Sequence, residues 1–411
     1  MSVREHRQRL AETLPEGSLV ICHAGVPVHT NEDHYHFEVN SQFFYLTGLE
    51  RENMALLMSK LDGNVSETLF IEKADPLRER WTGKMPTAED AGLVSGICDV
   101  RFIEDLGGEI SRRMNRFRVD HVYFDVYRCR ENDAPDHNAV MAAEFMKRYP
   151  AVTLHDLRRA CVPLRQCKDE DEIFLVRKAV EITRQGLDAV ARRLHPGMTE
   201  YQAQADFEHA CRSLGAEKFA FDTISAAGGN ACMMHYETNR DTIRPGSLLL
   251  MDLGAKFGNY CSDVTRTFPA DGVYTPRQKA LYNLVLKANR RVAAAARPGM
   301  TLKDLNDIAK EVLGEGLVSL GLLSDPKDVG KYYMHSASHS IGIDCHDPSF
   351  AGDTLKPGWI ISDEPGLYID EEETGIRIED DLLITETGCE VLTRDIPAEA
   401  DEIERIMGGG R

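Results

Sequence analysis

Apolar positions along this chain follow two rhythms. The runs GSLVICHAG (17–25) and HVYFDVY (121–127) read as strands, whereas SVREHRQRLAETL (2–14) and NAVMAAEFMKRY (138–149) place apolar residues at helical spacing. The first half therefore predicts a mixed α/β domain. The pattern breaks at PLRQCKDEDE (163–172), which is polar and charged, and resumes in IFLVRKAVEITRQGLDAVARRL (173–194) with about six turns of helical periodicity. At 411 residues, against about 150 for an ordinary domain, the chain predicts two or three units. We place the junction at Arg165, giving domains 1–165 and 166–411.

The second part carries an internal duplication. His195-Pro-Gly-Met-Thr199 recurs as Arg297-Pro-Gly-Met-Thr301, each after a helical run and each offering Thr as an N-cap. RPGSLLLMDLG (244–254) likewise matches KPGWIISDEPG (356–366), so that Asp252 and Glu364 occupy equivalent places (364 − 252 = 112). Two half-domains whose equivalent strands each deliver one carboxylate predict a shared central site.

SLLLMDLGAKFGNYCSDVTRTF (247–268) reads as two strands joined by Gly258-Asn259, a hairpin that would bring Asp252 beside Asp263. Two carboxylates at such range repel unless protonated or bridged by cations. In GIRIEDDLLIT (375–385), alternation along a strand puts Arg377 and Glu379 on one face and Ile376 and Ile378 on the other. Arg377 pairing with Glu379 is the plain structural alternative to a ligand role. YYMHSASHSIGIDCHDPSF (332–350) holds three of the fourteen histidines, His335, His339 and His346, in a stretch whose Ser, Gly and β-branched residues oppose a helix. No H-E-x-x-H, P-loop, G-x-S-x-G or G-x-G-x-x-G motif occurs. Carboxylates with one imidazole suit Mn²⁺, Co²⁺, Zn²⁺ or Fe²⁺, and four negative charges match the needs of two divalent ions.

Charge and cysteine content narrow the class. The formal charge of −19, from 48 basic and 67 acidic residues, repels nucleic acid and anionic membranes. No apolar run approaches a membrane span, and the charged start MSVREHRQRLAETL lacks a secretory core, so the expectation is a cytoplasmic protein. Ten cysteines without a C-x-x-C pair fit reduced thiols used as small core residues.

The blocks MDLGA, SDVTRTFP, SHSIGIDCHD, DEPGLYI and IRIEDD, in that order, resemble the pita-bread metallopeptidases, specifically their Xaa-Pro aminopeptidase (aminopeptidase P) and prolidase branch. HYHFEVNSQFFYLTGL (34–49) and RWTG (80–83) resemble the aminopeptidase P N-terminal domain, also called the creatinase type. The resemblance implies an α/β N-terminal domain followed by an α+β pita-bread catalytic domain with pseudo-twofold symmetry. It implies two divalent ions, Mn²⁺ foremost: Asp252 on one, Asp263 and Glu379 bridging both, His339 and Glu364 completing the second. It further implies Glu364 as the base that activates water, His346 and His235 as groups that polarise the carbonyl and help the amine leave, and His335, Tyr368 and Arg377 as substrate-lining residues. The implied substrates are peptides beginning Xaa-Pro, and the implied assembly is a homo-oligomer, a dimer or tetramer.

Two features depart from or qualify the pattern. Asp363 stands where the family usually has a small or apolar residue; a second acid there either shifts the site's charge or faces solvent. Trp81 belongs to a loop that the family sends to a neighbouring subunit's site, but as a lone aromatic it reads more safely as a packing residue. The rival functions are a dipeptide-restricted prolidase, a metal-free pita-bread module that binds peptides or histones, and a creatinase-type hydrolase. Proline lacks an amide N–H and fixes φ, which is why an Xaa-Pro bond needs a dedicated peptidase.

Overall fold

The computed structural model describes residues 3–31, 33 and 35–408, and His34, the first residue of the N-terminal resemblance block, lies outside them. Two units are present, Met1–Arg165 and Gln166–Arg411. The first is built on a mixed six-stranded sheet of β1 (Ser18–His23), β2 (Ala55–Leu61), β3 (Asn64–Ile71), β4 (Val100–Phe102), β5 (His121–Phe124) and β6 (Thr153–Asp156), in the order β4-β3-β2-β1-β5-β6. Central β1 is buried along all six residues, which accounts for its unbroken apolar run. Leu19, Ile21, Leu57, Phe70, Val122 and Phe124 share one core with Phe145 of the helix His137–Arg148. Trp81 overturns its reading as a packing residue: it is 89% exposed, on a helix, Pro76–Thr82, that buries none of its seven residues.

The second unit opens with a strong helix start. Asp169 accepts from the N–H groups of Asp171 and Glu172 while Glu172 reaches back to the Asp169 N–H, and three acids sit in the first turn of the helix Glu170–Arg193. The unit's strands are β7 (Lys218–Phe219), β8 (Ile224–Ala227), β9 (Leu248–Leu253), β10 (Ala255–Phe257), β11 (Tyr260–Cys261), β12 (Val264–Pro269), β13 (Ile360–Asp363), β14 (Gly366–Ile369), β15 (Thr374–Arg377), β16 (Asp380–Ile384) and β17 (Cys389–Val391). They form small antiparallel sheets, β12-β9-β8 and β13-β16-β17 among them.

The duplicated phrases do equivalent work in the two halves. Gly197 donates to the Ile243 carbonyl and Ile243 returns a bond to Met198; Gly299 donates to Leu355 and Leu355 returns a bond to Met300. Each Pro-Gly-Met-Thr phrase thus ties the start of a helix, Glu200–Ser213 or Leu302–Ser319, to the chain leading into β9 or β13. Those two strands deliver Asp252 and Glu364. Among the described residues no helix is long and apolar enough to cross a membrane. No disulfide joins cysteines among the described residues, but Cys98 and Cys129 are exposed, so the core-thiol reading does not hold for that pair.

Candidate metal centre

β9 and β12 pair antiparallel with Asp252 opposite Thr265. Beyond them β10 and β11 close on Gly258 and Asn259, whose φ values of 54° and 62° make the two-residue turn expected of a tight hairpin. The arms draw close at Gly254, where any side chain would strike the Ser262 carbonyl. Asp263 follows at once, just outside β12, and its N–H is held 3.3 Å from both Asp381 carboxylate oxygens.

The other half supplies the remaining groups. Residues 337–339 run beside 362–364: the Glu364 N–H donates to the Ala337 carbonyl (2.8 Å), and Ser362 N–H donates to the His339 carbonyl while Ser362 Oγ accepts from the His339 N–H, both at 2.9 Å. His339 Nε2 therefore lies 3.3 Å from Asp263 Oδ2 and 3.6 Å from Glu364 Oε1. Its Nδ1 sits 3.1 Å from the Ser340 carbonyl, which fixes the proton there and leaves Nε2 free to ligate. The strand expected through 375–385 breaks at Ile378 and Glu379, between β15 and β16. Glu379 there donates its N–H to the Thr265 carbonyl and accepts from Thr265 Oγ1 at 2.6 Å.

Ligand atoms of Asp263, His339 and Glu379 all fall within 4.8 Å of one another. Asp252 adds a buried oxygen, Oδ1, with no hydrogen-bond partner. Burial raises the pKa values of Asp252, Glu364 and Glu379, Glu364 to about 7, and the neighbouring carboxylates push each further in the same direction. Burial opposes charge on His339, but the Asp263 hydrogen bond and the Glu364 charge win and raise it to about 9. A cluster of acids that repel one another around a correctly oriented imidazole is what divalent cations satisfy, and this donor set fits them.

A cavity of about 480 Å³ opens over the cluster. Asp252, Asp263, His339, Glu364, Glu379, His235, His335, His346 and Arg377 all line it. Tyr368 does not; it stands behind the wall, buried, with its hydroxyl 2.8 Å from both His335 Nε2 and Arg377 Nη1. Burial lowers His335 and His346 to about 4, helped by Arg377 in the first case and His339 in the second.

Arg377 does not pair with Glu379. Its Nη2 meets Asp252 Oδ2 at 2.5 Å and its Nε donates to Thr265 Oγ1, so Thr265 links it to Glu379. Asp363 does not face solvent: it is fully buried at the end of β13, and its charge and that of Glu364 act on each other. Sequence pattern did not point to Phe221, Asp222, Ile224, Met234, Glu237, Ser336 and Ser338 as cavity walls. Most lie in a stretch without periodicity, where the isolated His235 was the only signal.

Comparison with known proteins places this architecture. Residues 175–386 match the model of metallopeptidase family M24, and residues 3–123 match the aminopeptidase P N-terminal domain. The chain is 30% identical to an Xaa-Pro aminopeptidase of Haemophilus influenzae over 98% of this chain and 96% of that relative. Two solved structures of Escherichia coli aminopeptidase P, one zinc-substituted with product and one with the inhibitor Pro-Leu, each superpose with a TM-score of 0.90 at 29% identity, covering 100% of this chain and 99% of theirs. The chain therefore belongs to metallopeptidase family M24, as a metal-dependent exopeptidase of the pita-bread, aminopeptidase P branch.

Proposed function

We propose that this protein removes the N-terminal residue from peptides whose second residue is proline, using two divalent ions, Mn²⁺ foremost, held by Asp252, Asp263, His339, Glu364 and Glu379. The observation that carries the reading is the convergence of these five side chains, drawn from both half-domains, at one cavity. The named relatives are Xaa-Pro aminopeptidases, and one was solved with Pro-Leu bound. Divalent ions in this cluster supply a Lewis acid for the scissile carbonyl and make water a nucleophile at neutral pH.

The chain's own groups handle protons and position. Glu364, whose Oε1 accepts from Ser362 Oγ at 3.3 Å, takes the proton of the attacking water. His346 polarises the scissile carbonyl, and His235, on the exposed cavity wall, protonates the departing prolyl nitrogen. Tyr368 and Arg377 hold His335 and Asp252 at fixed angles.

An aminopeptidase, in contrast to a dipeptidase, leaves the peptide open beyond proline. Apart from histidines, Arg377 is the one basic side chain among the described residues lining the cavity, and its guanidinium is engaged by Asp252, Tyr368 and Thr265. It is not free to clamp a dipeptide carboxylate. Stripping metal with a chelator, restoring Mn²⁺ and following release of the free N-terminal amino acid from an Xaa-Pro-Xaa tripeptide tests the proposal. Full activity of the metal-free protein would refute it.

A further inference from the structure

The wall of the cavity that carries His235 is a long loop, tied further along by buried Asn239, which bonds Thr223, Ser225 and Gln204, and by Ile243, which bonds Gly197 and Met198. After the short 3₁₀ turn Gly228–Cys232, residues 233–247 contain no regular helix or strand before β9 begins. Met234, His235 and Glu237 from this stretch line the cavity. A loop of this length keeps a histidine in place only if something closes it.

The group that holds it beside His235 is Glu200, the first residue of the helix Glu200–Ser213 and fully buried. Its Oε1 accepts from the Ala227 N–H at 2.8 Å and from Asn230 Nδ2 at 3.0 Å. Its Oε2 accepts from the Tyr236 hydroxyl at 2.8 Å and from the Asp241 N–H at 2.9 Å. All four donors belong to residues 227–241, so a single carboxylate grips the loop at its entry, at its exit, and at the residue next to His235. The main chain of Glu200 adds two more ties, accepting from Ser225 Oγ and donating to the Asp241 carbonyl. No ion pair of Glu200 occurs among the described residues. Four neutral donors converge on the carboxylate, and removing it would take this partner from the buried Ala227 N–H and from three part-buried donors.

The duplicated half lacks this device. After Thr301 the matching position is Leu302, and the chain near His335 is held instead by Asn306, whose Oδ1 accepts from the Ala337 N–H and the Tyr333 hydroxyl. The grip on residues 227–241 is thus specific to the half that presents His235.

We infer that Glu200 is a positioning residue for His235, fixing the histidine against the leaving prolyl nitrogen without touching substrate or metal. The inference rests on the proposed role of His235 at the leaving group. A double-mutant cycle on the metal-loaded full chain, with an Xaa-Pro-Xaa tripeptide, separates the two. Glu200→Gln is expected to retain its metal, to lower kcat about tenfold or more and to change KM by less than about threefold. In a His235→Ala background the same change should lower kcat by less than about threefold further, because the side chain it positions is gone. Losses that multiply independently, loss of metal in Glu200→Gln, or an unchanged kcat would each overturn the link. A His235→Ala variant with full kcat would instead overturn the role of His235 itself. Should Glu200→Gln fail to fold, Tyr236→Phe removes one of the four donors, and its cycle with His235→Ala supports or overturns the link by the same outcomes.

Discussion

His346 lies face to face on His339, with ring centroids 3.9 Å apart and ring planes within 7°. The stack sets His346 beside the ligand cluster but outside the trio of Asp263, His339 and Glu379 whose ligand atoms converge. His346→Ala should therefore keep its full metal content and lose about 10²-fold or more in kcat, the usual effect of removing a group that polarises or protonates the reacting atoms. Parallel loss of metal and rate would make His346 a ligand.

Peptide length gives a second test. With Arg377 already engaged, Xaa-Pro-Xaa tripeptides and longer chains should be cleaved with kcat/KM at least equal to that of an Xaa-Pro dipeptide, and an Xaa-Ala control should be poor. A buried clamp on the dipeptide carboxylate would instead show as a preference of roughly 10²-fold for the dipeptide. Activity confined to dipeptides would leave the metal site intact and make the enzyme a prolidase.

Asp363 sits one residue from Glu364 yet faces away from it, opposite Asp380 in the β13-β16 register. Burial first, then Asp380 and Glu364, push its carboxyl well above the usual carboxylate range against a weaker pull from the Ala293 backbone, and neither oxygen makes a well-formed hydrogen bond. Such a group costs about 1–3 kcal/mol, comparable to what a small truncation loses in packing. Asp363→Ala should hold its metals, keep kcat within about threefold, and unfold in urea at the same or higher concentration as the parent. A loss above about 2 kcal/mol would show that Asp363 has a stabilising partner.

Much of this site is legible in the sequence. The offset of 112 residues aligns Asp252 with Glu364 because one sits just before the end of β9 and the other just after the end of the equivalent β13, and Gly258-Asn259 announces the hairpin because few other pairs adopt two left-handed residues in succession. What escapes are partnerships across long separations. Arg377 finds Asp252, 125 residues away, in place of its near neighbour Glu379, since the chain leaves the strand at Ile378 and alternation no longer applies. Asp363 and Glu364 are adjacent acids, yet local pattern cannot tell which points to a cavity and which to a core. Glu200 looks like an ordinary helix-start acid beside Thr199, and only the folded loop reveals its four donors. Trp81 shows the reverse error: hydrophobicity suggests burial where a seven-residue helix leaves the ring exposed.

Asp263, whose carboxylate lies beside His339 and among the same converging ligand atoms as Glu379, is proposed to help hold both divalent ions. Elemental analysis of the wild type and of Asp263→Asn, each metal-stripped and reloaded with Mn²⁺, tests it most directly. The wild type should hold two ions per chain and the variant one or none, with hydrolysis of an Xaa-Pro-Xaa peptide lost in step. Two ions per chain in both proteins would show that Asp263 holds neither.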